Sequence, residues 1–195
     1  MISRALFITM IVLLIAVVAL GIYGLHLKHQ AEVTQAVPDA KPVSPPVSGT
    51  TATIAMFVPD DVAGLLIRRD VSVAVPADPS GRTREILRAL ITACQQKDSS
   101  HPLPPDADIK EVFHPSPGLA VINANAAFGD GHRSGILVEE LTIAAIARTL
   151  AVNSPDIKQF KLLIDGKERE TLAGHADLLE IYPTDQQTWA QLLSR

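Results

Sequence analysis

A strand ending in an Asp-Gly turn constrains this chain most. Phe160, Leu162 and Ile164 alternate with Lys161 and Leu163, and Asp165-Gly166 follows directly. Alternation with period two predicts a strand with one apolar face. Asp-Gly suits a type I′ turn, in which both central residues take positive φ and the turn matches strand twist. A charged return strand, Lys167 to Glu170, is expected to form a solvated sheet edge.

Other elements follow from the same patterns. Thr51 to Val58 reads as a strand ended by Pro59-Asp60-Asp61, and Ile67 to Val75 alternates with Ile67, Val71, Val73 and Val75 on one face. Ser80 to Gln96 is helical, since Ile86, Leu87, Leu90, Ile91 and Cys94 form one apolar stripe. Asp98 to Asp108 is a proline-rich loop, and Ile109–His114 and Leu119–Asn123 are strands joined through Pro115-Ser-Pro-Gly118. Gly135 to Ala151 is an alanine-rich helix, apolar on most of its circumference and so buried on several sides. Asn153-Ser-Pro155 stops it. The expected class is α+β: one mixed sheet with two packed helices in the order β-β-α-β-β-α-β-β, preceded by one transmembrane helix.

The flanks carry different information. Ala5 to Leu25 contains no charged residue, and about 21 residues at 1.5 Å each reach roughly 32 Å, enough for a bilayer core. Residues 1–28 are therefore expected to be an uncleaved signal anchor that leaves the C-terminal part outside the cytoplasm. Residues 29–50, with Pro38, Pro42, Pro45 and Pro46, suit an extended spacer. Setting Arg4 and Lys28 aside from the 17 basic residues leaves 15 against 21 acidic ones, net −6, which argues against nucleic acid as a partner. A single cysteine rules out an internal disulfide. The globular domain is expected over residues 51–182. A short helix is expected over 183–195, opened by Thr184 and Gln187 and bearing Trp189, Leu192 and Leu193.

The segment Ile164-Asp-Gly-Lys-Glu-Arg-Glu-Thr-Leu-Ala-Gly-His-Ala-Asp-Leu178 resembles the closing signature of the GerMN domain, the sporulation and spore germination family. Ile54–Asp60, Arg84–Ala93, Pro102–Pro105, Gly118–Asn123 and Glu140–Leu150 are similar to successive parts of that family in the same order. Family proteins of spore formers often carry a lipid anchor and two copies, whereas one copy follows an apolar segment here. Nothing after Leu179 has a counterpart. The resemblance implies a module that works by contact, like the ring-building domains of envelope assemblies.

Candidate chemistry is sparse. Gly129-Asp-Gly-His-Arg-Ser-Gly135 leads into a helix N-terminus and reads as a flexible lead-in capped by Ser134, or as an anion site or pocket rim using Gly129, Gly131 and Gly135. His175 and Asp177 form an acid–base pair for a wall hydrolase, or His175 bonds local backbone while Asp177 caps the next turn. Cys94 on an apolar face is inert packing. His101, His114, His132 and His175 lack metal-ligand spacing, so no metal or cofactor is expected. Glu139 and Glu140 are expected on a solvated helix face, with Glu140 alternatively paired to Arg148. Arg68, Arg69, Arg82, Arg84 and Arg88 read as solvated faces, or as a basic patch toward anionic polymers.

The reading that unites these features is a non-enzymatic, membrane-anchored bacterial envelope module. Its sheet edge and alanine-rich helix would face another envelope protein or a second copy. Gly129, Gly131, Gly135, Glu140, Asp165, Gly166, Gly174, His175 and Asp177 are its candidate interaction positions. A ligand-binding or sensory module is the alternative, and a wall hydrolase a third.

Overall fold

The computed structural model describes residues 50–185 and Trp189. The expected anchor at 1–28, nearly all of the spacer at 29–50 and most of the helix at 183–195 lie outside the described residues. No helix among the described residues is long and apolar enough to cross a membrane.

The fold is mixed α+β. In chain order it contains β1 (Thr50–Asp60), β2 (Leu65–Val75), α1 (Pro79–Cys94), β3 (Ile109–Ser116), β4 (Leu119–Ala124), α2 (Ala126–Asp130), α3 (Ile136–Asn153), β5 (Gln159–Ile164) and β6 (Tyr182–Pro183). The order matches the expectation apart from the last strand, which is Tyr182–Pro183 and not the charged segment Lys167–Glu170, and the short α2, which Asn125 caps by accepting from the Phe128 amide at 3.1 Å. The strands divide into two sheets rather than one. β1 and β2 form an antiparallel ribbon, and β3-β4-β5-β6 form a four-stranded sheet in which β4 and β5 run parallel. Parallel neighbours need a crossover, and α3 supplies it.

α1 begins at Asp78, whose carboxylate accepts from the Gly81 amide, and its stripe of Ile86, Leu87, Leu90, Ile91 and Cys94 is fully buried. This stripe packs on both sheets, so one core is shared by Met56, Val58, Leu90, Ile122, Phe128, Phe160 and Leu162. α3 is buried from Leu141 through Ala147 and again at Leu150, as its composition implied.

Asp165 and Gly166 take φ of 50° and 73°, as a type I′ turn requires. The return strand does not form. Lys167 makes a single bridge to Ile164, and β5 instead pairs with β6, which lies after the motif. The segment is engaged elsewhere: Glu168 pairs with Lys161, Arg169 pairs with Asp130, and the Glu170 carbonyl accepts from the Leu178 amide. Tyr182 stacks on Phe160 and meets Trp189, whose indole donates to the Pro183 carbonyl at 2.7 Å. Thr184 donates to the Ile157 carbonyl at 2.8 Å, and Gln187, its expected capping partner, lies outside the described residues.

Candidate functional site

Glu139 organises the segment on which the resemblance rests. It lies one turn inside α3 and is fully buried, which corrects the expectation of a solvated position. One carboxylate oxygen accepts from the Gly135 amide at 3.1 Å and meets His175 Nδ1 at 2.9 Å. The other accepts the amides of Ala173, His175 and Ala176 at 3.0, 2.9 and 2.9 Å. Burial alone raises a carboxyl pKa. Here the amides of Ala176, His175 and Ala173 and the His175 ring outweigh it, and the group is held at about 2. Five donors converge on one carboxylate, so the loop Glu170–Leu178 is clamped to the start of α3.

The loop's own sequence suits that clamp. Leu172 and Leu178 are fully buried, the Leu172 amide donates to the Ala176 carbonyl, and Leu178 donates to Glu170. Gly174 takes φ of 122°, a conformation that side chains rarely adopt. His175 reaches Glu139 rather than Asp177, whose carboxylate accepts from the Leu179 amide at 2.8 Å and so caps the following turn. The two members of the expected acid–base pair are thus each occupied elsewhere. Ser134 does not cap α3. Gly135 occupies that position without a side-chain cap, its own amide donating back to Glu139, while the Ser134 hydroxyl lies 3.4 Å from the His175 ring.

A second polar cluster lies deeper. His101 and His132 are both buried, and each Nε2 lies 2.8 Å from the Thr142 hydroxyl. His101 Nδ1 donates to Asp61 at 2.6 Å, and His132 Nδ1 donates to the Arg133 carbonyl at 2.8 Å. Arg133 closes the ring by reaching Asp61 at 3.0 Å. Burial pushes both imidazoles below their ordinary range, against the pull of Asp61 on His101 and of the Arg133 carbonyl on His132. Both Nδ1 atoms are committed as donors, so the two Nε2 atoms and the Val138 carbonyl at 3.1 Å compete for the single Thr142 hydroxyl proton, which only one of them can accept at a time. These histidines are 31 positions apart in sequence, and no spacing rule connects them. Among the described residues no group of three metal-ligating side chains forms.

The remaining candidates are dispersed. Gly129 is buried in α2 beside Arg169, and Gly131 ends that helix, exposed, with its backbone close to Pro104. Glu140 is half-buried on α3. Asp165 pairs with Lys110 at 3.1 Å, and the Gly166 amide donates to Asn123. Cys94 is buried and its thiol is pushed up to about 12 by desolvation, consistent with inert packing. Arg68 pairs with Asp70, Arg84 with Glu85, and Arg88 with Asp108 and Glu85, which leaves no uniform basic patch among them.

A cleft of about 780 Å³ opens elsewhere, lined by Arg82, His114, Ser116, Ser154, Pro155 and Asp156 among others. Sequence reasoning passed over it because its walls come from three separated turns. Sequence reasoning also missed Glu139, although a signal existed: positions 139, 143, 146 and 150 share one helical face with apolar neighbours.

A family model described as "Sporulation and spore germination" (Germane) matches residues 55–170. The first GerMN domain of the sporulation protein GerM from Bacillus subtilis is 15% identical with a TM-score of 0.51, covering 70% of this chain and 99% of that one. The tandem GerMN domains of the same protein are 16% identical with a TM-score of 0.50, covering 67% of this chain. This chain spans 45% of the tandem pair's length. No curated protein sequence matches the chain.

Proposed function

Since this chain belongs to the Germane family of sporulation and spore germination domains, we propose that it is a non-enzymatic contact module of the bacterial cell envelope. In this reading the apolar N-terminal block holds it at the membrane, with the domain outside the cytoplasm. It acts by binding another envelope protein or a second copy of itself. One observation carries the reading: the side chains best suited to chemistry are already spent on structure. The Glu139 carboxylate accepts from five donors, His175 and Asp177 serve local contacts, His101 and His132 share Thr142, and Cys94 is sealed in the core.

Cross-linking the full-length protein in intact cells, followed by identification of the cross-linked species, tests this directly. An adhesive module yields a discrete envelope partner or a homodimer. Turnover of a wall polymer by the purified chain, lost in His175→Ala with unchanged thermal stability, would replace the reading with a hydrolase.

The cleft beside Arg82 and His114 favours a second reading, ligand binding, because it combines polar groups with proline walls in a volume suited to a small molecule. Saturable binding of a wall-derived fragment, lost in Arg82→Ala, distinguishes it.

A further inference from the structure

We propose that β2 is the adhesive edge of this domain and that it pairs antiparallel with β2 of a second copy, about a two-fold axis at Arg69. The proposal rests on the contact-module reading and gives it a surface and an occupant.

The strand edges among the described residues differ sharply. β1 is blocked over its middle by α3: Asn153 accepts from the Ala55 amide at 3.1 Å and donates to the Ala55 carbonyl at 2.6 Å, and Thr149 accepts from the Phe57 amide at 3.1 Å. β3 is interrupted by two register shifts and by Pro115, devices that discourage edge pairing. β6 has only two residues. β2 has 11 residues, unbroken register against β1, and neither proline nor glycine.

The bonds to α3 also reveal which groups of β2 face outward. Ala55 and Phe57 use their backbone away from β2, so Ile54, Met56 and Val58 are the β1 residues that exchange bonds with β2. Their partners are Val71, Arg69 and Ile67. The backbone of Leu66, Arg68, Asp70, Ser72 and Ala74 therefore points outward, and it has no hydrogen-bond partner among the described residues.

Charge selects the occupant and the register. A second β2 joined through these outward groups can be centred on several residues. Only centring on Arg69 sets Arg68 opposite Asp70 of the second copy and Asp70 opposite its Arg68. Opposite charges across a ladder stabilise it, and like charges oppose it. The mixed signs at 68–70 thus favour one register instead of forbidding all of them. The same register sets Ile67 against Val71 and Leu65 against Val73 of the second copy, covering two large apolar side chains that are 39% and 46% exposed in the single chain. About eight backbone hydrogen bonds would close a continuous four-stranded sheet. Arg69 meets its own counterpart at the axis, the one pair of like charges set directly opposite each other.

Sedimentation of the detergent-solubilised full-length chain over a concentration series tests the proposal. A dimer is expected. Asp70→Arg should weaken it roughly tenfold, and the exchange Arg68→Asp with Asp70→Arg should restore it. Arg69→Thr should tighten it. Arg69→Cys should give a disulfide-linked dimer under mild oxidation, whereas Ser72→Cys, far from its own counterpart, should not. Ser72→Pro, which removes an outward amide, should abolish pairing; if that variant fails to fold, the charge variants decide alone. A chain that stays monomeric without an Arg69→Cys disulfide, or a dimer indifferent to Asp70→Arg, overturns the pairing. If such a monomer still cross-links to another envelope protein, the contact-module reading survives; if it does neither, both fall.

Discussion

Glu139 shows how one buried charge is made tolerable and useful. Its two oxygens accept from Gly135, Ala173, His175 and Ala176, and the charged form is favoured so strongly that the group titrates near 2 instead of 4.5. A depressed carboxyl contributes its stability above the unfolded value and loses it as pH falls through the folded one. Between about pH 4.5 and 2 the domain should therefore lose about 3 kcal/mol. Glu139→Gln should flatten that part of the profile in chemical denaturation at stepped pH. Glu139→Ala should cost at least that much at pH 7, because several buried amides lose their acceptor. Thr142 is the second pivotal residue. Thr142→Val leaves both His101 and His132 without their shared hydroxyl and should cost about 1–3 kcal/mol, with little change in shape. Helical spacing signalled the burial of Glu139, but neither residue's role was readable from local sequence, since each depends on partners brought from distant segments.

Elements fared differently. The Asp165-Gly166 turn was legible because its conformational demand is local, and Gly166→Ala should destabilise by about 1 kcal/mol for the strain at φ of 73°. The apolar stripe of α1 and the all-round burial of α3 were legible from helical periodicity. The return strand after Gly166 was misjudged because the turn permits a hairpin without requiring one. Pairing also needs side chains that gain from it, and Tyr182 stacking on Phe160 gives the place beside β5 to β6. The division into two sheets was likewise hidden. It follows from α3 lying along β1, where Asn153 and Thr149 take up backbone groups that another strand would otherwise use. Asn153→Ala should leave the Ala55 amide and carbonyl without these partners. A drop of about 2 kcal/mol is expected, with faster amide exchange at Ala55.

For the molecule as a whole, stability should decline with acid over two pH ranges. Burial holds His101 and His132 below 6.5, so the unfolded chain takes up protons first and stability begins to fall below about pH 6.5. Glu139 adds the second range below about pH 4.5. Following unfolding by tryptophan fluorescence is apt, since Trp189 is buried against Tyr182. Glu139→Gln should erase only the decline in the lower range. The sequence by itself determined the α+β order, the two helices, the positive-φ turn and the family, because these rest on periodicity and on backbone preferences acting within a few residues. Tertiary structure alone decided which polar groups are spent and which edge remains open. Burial and hydrogen bonding are properties of surroundings, and the surroundings of Glu139, Thr142 and β2 are assembled from segments far apart in the chain.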